Sequence, residues 1–349
     1  MAATRATGPG AVAVGDAASG AVGTGRAFAP CNVELMDPSS SDRSSEEALR
    51  TALLRTLVPV VLLVALASVI DARAALAALG SAHPGWIVAG LALVQFQVVA
   101  SALRWRWTAA RLGQRIGARR AIAEYYLATL ANQTLPGGVV GDAARAVRST
   151  DSAPLGTAGL AVAVERVSGQ AALLAVTLAG LAAWPALLGD RPASGTRTVL
   201  AALGVALALA ALVALARRVG PARLRRGADG LGRALRRTWI EDGAWAVQGV
   251  ASLAIVGSYL ALWATSALAL GAPLPPAALV TVVPLALLTM LVPISIGGWG
   301  LREAASAALW PLAGLAAADG LATSVLYGLV ALAGSLPGLV VVLSRRERA

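Results

Sequence analysis

Six apolar runs dominate the chain, at roughly 52–70, 85–103, 157–183, 198–216, 244–270 and 321–343. Each is long enough for a helix to cross the ~30 Å of hydrocarbon in a bilayer, which takes about 20 residues. No water in that layer can satisfy backbone N–H and C=O groups, so runs of this kind fold as helices. Composition agrees. Of 349 residues, 57% are hydrophobic and 13% charged, against about 25% charged in a soluble domain. The polar surface is too small to cover the chain in water. The expected fold is all-α, a polytopic integral membrane protein.

Two further apolar stretches, 121–135 and 277–293, are shorter or broken by proline. Each runs into a glycine cluster and then a weaker helical stretch, 142–150 and 302–318. Arginine placement says how they fit. All 29 basic residues are arginine. The segment 104–120 holds six arginines and no acid, 217–237 holds eight and one aspartate, and the C-terminus reads SRRERA. By contrast 71–84, 184–197 and 271–276 carry few charges. The positive-inside rule puts the arginine-rich segments and both termini in the cytoplasm, with the chain in the cell (plasma or inner) membrane. In that orientation 121–155 enters and leaves from the cytoplasmic side, and 277–318 from the outer side. The expectation is therefore six full transmembrane helices plus two re-entrant helical hairpins, one from each face.

This arrangement has an internal symmetry. Halves at about 51–190 and 191–345 form an inverted-topology repeat, an architecture of secondary transporters. Pro136 lies nine residues before Arg145 and Pro293 nine before Arg302, with Gly141 and Gly298 at matching positions between.

Irregular backbone at membrane depth persists only against protein or a polar cavity. The two tips, LPGGVVGD and VPISIGGWG, contain Pro136, Gly137, Gly138 and Gly141, and Pro293, Ser295, Gly297, Gly298 and Gly300. They are expected to line such a cavity, with a helix restarting near Gly141 and near Gly300. Each restart aims free N–H groups and the positive end of a helix dipole at the cavity. Arg145 and Arg148 follow the first tip and Arg302 the second. A helix N-terminus plus arginine suits an anion, and the guanidinium fork matches phosphate. In the run 157–183, Glu165 and Arg166 are ionisable groups at membrane depth, which by default raise a functional-site hypothesis. Glu165 is expected to pair with Arg145 or Arg148, and Arg166 to meet substrate; a purely structural ion pair is the alternative. Glu303 beside Arg302 has the same two readings. Asp142 is expected to cap the helix it starts, Asn132 and Gln133 to satisfy broken backbone groups, and Glu124 to lie at the membrane interface.

Other chemistry is sparse. The glycine-rich tip is no Walker loop, because the chain has no lysine. Cys31 and His83 are the only cysteine and histidine, so no grouping of them suggests a metal, and His83 reads as a solvated loop residue before Pro84. No catalytic residues and no cofactor are expected. Topology and anionic inner-leaflet lipid account for the basic loops without nucleic acid. Residues 1–50, with Gly/Ala/Thr repeats and SSSDRSSEE, read as a disordered tail before a transmembrane domain at 51–349.

Three motifs, NQTLPGGVVGDAARAVR, AVERVSG and VPISIGGWGLREAA, resemble the transmembrane, flippase-like family of lysylphosphatidylglycerol synthases. The residues that carry the resemblance are Asn132, Pro136, Gly141, Asp142 and Arg145; Glu165 and Arg166; and Pro293, Ser295, Gly297, Gly298, Gly300, Arg302 and Glu303. It covers roughly residues 50–345. It implies a domain that moves an anionic-headgroup lipid, such as an aminoacylated phosphatidylglycerol or a polyprenyl-linked glycolipid, between leaflets. Founding members fuse this region to a soluble aminoacyl-transferase. The expectation here is the membrane part alone, without synthesis of the lipid. Three functions are weighed: a lipid translocator, a non-transporting partner of a lipid-modifying enzyme or glycosyltransferase, and a small-anion transporter. A membrane enzyme is the weakest reading, for want of an acid–base or metal constellation.

Overall fold

The computed structural model describes residues 79–135, 138–188, 222–291 and 296–346. The tail at 1–50, the runs 52–70 and 198–216, and the tip residues Pro136, Gly137, Pro293 and Ser295 lie outside the described residues. Among the described residues every regular element is helical. Four helices are long and apolar enough to cross a membrane: Pro84–Arg111, Leu155–Ala182, Glu241–Ala269 and Ala317–Ser344. They coincide with the apolar runs 85–103, 157–183, 244–270 and 321–343.

Helix α1, Pro84–Arg111, starts with proline in its first turn, where a missing N–H costs nothing. His83 is its N-cap: Gly85 N–H donates to His83 Nδ1 at 3.2 Å. The helix runs beyond the expected end at 103 because Arg104 finds partners inside the bundle. Helix α2, Ala118–Thr134, and α3, Val140–Arg148, form an antiparallel hairpin. The pairing is read from its ties: Asn132 with Gly141 and Asp142, Glu124 with Arg148, and Arg120 with Asp151. Gly138 takes the turn at φ 61°, a conformation that costs other residues ~1–2 kcal/mol. Gly141 is needed for space instead. A Cβ there would fall 2.7 Å from Ala128 Cα and overlap the Ala128 carbonyl.

Long helix α4, Leu155–Ala182, leads into the short α5, Trp184–Leu188. After undescribed residues comes α6, Ala222–Trp239, followed by α7, Ala244–Ala269. Helix α8, Pro276–Leu288, and α9, Leu301–Leu309, make the second hairpin, with Gly297, Gly298 and Gly300 all at positive φ in its tip. Helices α10, Ala317–Ser335, and α11, Pro337–Arg346, complete the order. Proline inside a helix removes the hydrogen bond to the carbonyl four residues earlier. In α8 that proline is Pro284 and the freed carbonyl is Val280, which packs against Gly180 of α4 where a Cβ would collide with it. Gly334 of α10 likewise lets Val94 of α1 approach closely, while Gln95 Nε2 donates to the Gly334 carbonyl at 3.1 Å. Small residues at such crossings substitute for a hydrophobic drive that lipid does not supply.

The main apolar core joins α1, α4, α7, α8 and α10 through residues such as Val98, Leu181, Trp263, Val283 and Tyr327. Trp263 stacks on Tyr327 with centroids 5.0 Å apart and meets Trp310 at 5.4 Å. At one end of the bundle the two arginine-rich segments meet. Arg111 donates to the carbonyls of Arg237 and Glu241 and pairs with Asp242 at 2.9 Å. At the same end the Arg120 hydrogen bond holds the Asp151 carboxyl below its ordinary pKa.

Candidate functional site

The break between α2 and α3 leaves the first N–H groups of α3 without helical acceptors. Asn132, at the end of α2, answers one of them: its Oδ1 accepts from Gly141 N–H at 2.8 Å. Its Nδ2 donates to Asp142 Oδ2 at 3.0 Å. Asp142 is not the cap that its place at the start of α3 suggests, for the helix has no side-chain cap. With Asn132 beside Gly141, the aspartate is left to serve arginines instead.

Those arginines form a chain of alternating charge, Arg104–Glu165–Arg145–Asp142–Arg166. Arg104 Nη2 bonds Glu165 Oε1 at 2.7 Å, and Arg145 Nη2 bonds Glu165 Oε2 at 3.2 Å. Arg145 Nη2 also reaches Asp142 Oδ1 at 2.9 Å, and Asp142 Oδ2 pairs with Arg166. Tyr125 donates to Glu165 Oε1 at 3.2 Å, and Arg104 Nη1 donates to Ser252 Oγ of α7 at 2.8 Å. Arg145 lies between the rings of Trp105 and Tyr125, 4.5 Å from each centroid. This aromatic sandwich shields a guanidinium whose Nε and Nη1 have no hydrogen-bond partner among the described residues. Among the described residues three guanidiniums face two carboxylates, which leaves this ion chain with one surplus positive charge. Arg145 and Glu165 are almost fully enclosed, whereas the Arg166 side chain is 43% exposed. The surplus is therefore reachable at Arg166. Beside this chain, Arg148 Nε bonds Glu124 Oε2 at 2.6 Å. Glu124 is buried, not interfacial as its place near the basic loop suggests, because Arg148 neutralises it there.

The second hairpin builds a smaller site. Arg302 Nη2 bonds Glu303 Oε1 at 2.5 Å, and Arg302 Nε donates to Ser324 Oγ of α10 at 3.0 Å. Glu303 Oε2 accepts from Gly300 N–H at 2.6 Å, closing the start of α9. The rings of Trp299 and Tyr327 lie 5.2 and 5.0 Å from the Arg302 guanidinium. Here the charges match one to one, and both side chains are fully enclosed. Each site also rests on a glycine in the span after its hairpin. A Cβ on Gly169 would fall 3.0 Å from Arg104 Nη2, and one on Gly328 would meet Arg302 Nη2 and Trp299.

The two tips touch. A Cβ added to Gly297 would lie 2.6 Å from Gln133 Oε1 and 3.3 Å from Gln133 Cα. The second tip thus packs on the residue next to Asn132. Tyr259 of α7 interacts electrostatically with Arg104, Glu165 and Arg166, and with Tyr327.

Of the residues singled out in the sequence, the structure brings Asn132, Asp142, Arg145, Glu165 and Arg166 into one cluster, with Arg148 beside it. It places Arg302 and Glu303 in the second. Sequence reasoning missed Arg104, Trp105, Tyr125, Ser252, Tyr259 and Trp299. Arg104 is the first residue of the arginine-rich segment 104–120, and nothing local separates a buried arginine from an interfacial one.

Long apolar helices, two broken-helix hairpins and a buried, unbalanced ion chain define a multi-pass membrane protein with a polar site inside its helix bundle. The chain belongs to the family described as the lysylphosphatidylglycerol synthase TM region, whose model matches residues 49–338. No curated protein and no solved structure matches the chain significantly.

Proposed function

We propose that this chain is a lipid translocator that moves an anionic headgroup between leaflets while the acyl or prenyl tails stay in the bilayer. The observation that carries the reading is the surplus positive charge reachable at Arg166. A charge held inside a membrane domain is expensive and calls for a counter-charge, and a headgroup oxyanion would supply it. Membership of a lipid-related family supports the lipid as its source. Arg166 and Arg148, the two accessible guanidiniums, make first contact in this reading. Arg145 and Arg302 are reached when the hairpins shift. The inverted repeat, with six spans and hairpins from opposite faces, supplies the two alternating states. The family resemblance and the nine-residue lengths of both post-tip helices support that architecture. The chain works as a carrier, not an enzyme, in the cell membrane with its arginine-rich end in the cytoplasm.

The test is headgroup transfer in proteoliposomes, followed with a fluorescent phosphatidylglycerol that a membrane-impermeant reductant bleaches. Wild type transfers it, and Arg166→Gln lowers the rate at least tenfold while its melting temperature is retained. Equal rates in the two proteins would overturn the role of Arg166. Uptake of a water-soluble anion without lipid movement would replace the reading with a small-anion transporter. Movement of neither, with co-purification of a lipid-modifying enzyme or glycosyltransferase, would replace it with a non-transporting partner.

A further inference from the structure

Helix α6 is absorbed by neither ion cluster. Its sequence, ARLRRGADGLGRALRRTW, places Arg226, Arg233 and Arg237 within about 40° of one another on a wheel turning 100° per residue. All three residues are exposed. An arc about 80–140° round from the middle of this stripe holds Leu231, Ala234 and Thr238, and of these Ala234 and Thr238 are buried. The apolar side of α6 is thus already occupied by the bundle. Its C-terminal end is tied down twice, by Arg111 donating to the Arg237 carbonyl at 3.0 Å and by Trp239 Nε1 donating to Ser168 Oγ at 2.7 Å.

The residues just beyond α6 set the depth of this stripe. Ile240 and Trp245, in the turn after α6 and the first turn of α7, are 69% and 66% exposed. A tryptophan at the end of an apolar span, exposed on its outer side, belongs to the interfacial belt where headgroups meet hydrocarbon. Arg237 and Arg233 lie three and seven residues before Ile240, about one and two helical turns, which puts them near headgroup depth in this reading. A soluble acidic partner would approach from the water; a lipid headgroup lies alongside.

We infer that the arginine stripe of α6 is a binding surface for anionic phospholipid headgroups in the adjoining leaflet. It is distinct from the buried ion chain and independent of whether that chain moves lipid. Its place in the fold gives it a consequence. Trp239 bonds Ser168, buried on α4 two residues beyond Arg166, so α6 is tied to the helix that carries the accessible end of the ion chain.

Electron spin resonance of lipids in contact with the protein tests this directly. The full chain is reconstituted in phosphatidylcholine bilayers with trace spin-labelled phosphatidylglycerol or phosphatidylcholine, and the motionally restricted fraction is measured. Wild type should select phosphatidylglycerol at low salt, by at most about fivefold per contacting arginine, and lose the preference as salt rises. The triple variant Arg226→Gln/Arg233→Gln/Arg237→Gln should lose most of that selectivity at unchanged melting temperature. Arg115→Gln/Arg119→Gln, which removes exposed charge from the loop before α2 and from its first turn, should keep it. Absence of selectivity in wild type, or equal loss in both variants, overturns the proposal. The ion chain is intact in every variant, so transfer of labelled lipid in the same samples reports separately on the translocator reading.

Discussion

Glu165 is held from two sides, by Arg104 at 2.7 Å and by Arg145 at 3.2 Å, and receives the Tyr125 hydroxyl as well. Its charge is tolerable only because those partners are in place, and theirs only because it is. Removing one member of a buried ion pair costs about 3–5 kcal/mol, because the partner charge is left unpaired. Glu165→Gln keeps the volume and leaves three arginines against one acid. It should lower the thermal stability of the detergent-solubilised protein by that amount, and adding Arg104→Gln should restore part of the loss. Additive effects of the two substitutions would mean that the pair does not act as a unit. The sequence exposed this residue because a Glu-Arg pair in an apolar run has few structural excuses. It could not expose Arg104, whose neighbours in the chain are arginine-rich while its neighbours in space are Glu165 and Ser252. The aromatic sandwich on Arg145 was equally invisible, since Trp105 and Tyr125 come from different helices.

At the scale of the elements, the hairpin of α2 and α3 needs its glycines for different reasons, and the difference can be measured. Gly138 has a positive φ and open space around its Cβ position, whereas Gly141 has none because the Ala128 backbone is there. Gly138→Ala should therefore lower stability by only about 1–2 kcal/mol of backbone strain. Gly141→Ala meets backbone that no rotamer change can clear, and should lower stability by about 3 kcal/mol. Thermal melts of the two variants side by side check the order; a larger loss at Gly138 would contradict the packing described. The break itself was legible, since proline and glycines punctuate an apolar stretch. The helix restarts, at Val140 and Leu301, fall where the sequence put them. The division of labour was not legible. Asn132 and Asp142 are both sound capping residues, and only their approach across the hairpin decides that Asn132 answers the backbone while Asp142 answers arginine.

For the whole molecule, hydropathy located the four long spans that the structure describes, because length and apolarity alone define them. It could not say that the two hairpins would build unequal sites. Among the described residues the first holds three arginines to two acids and an accessible end, while the second is closed and balanced, with Ser324 bonding Arg302 where the first site has Glu165 bonding Arg145. Nor could any local pattern show that Gly297 packs on Gln133. That contact bears on the electrical behaviour of the molecule. If the hairpins enter from opposite faces, as proposed, water on either side ends at their tips, and the membrane potential drops across a layer about one side chain thick. A charged headgroup passing that layer would do its electrical work there, up to about 2.3 kcal/mol per charge for each 100 mV. Transfer of phosphatidylglycerol in proteoliposomes clamped with potassium and valinomycin should then speed up or slow down steeply with the sign of the potential, while transfer of a zwitterionic lipid should not. A flat voltage response would place the barrier elsewhere than at the glycine and glutamine where the two tips meet.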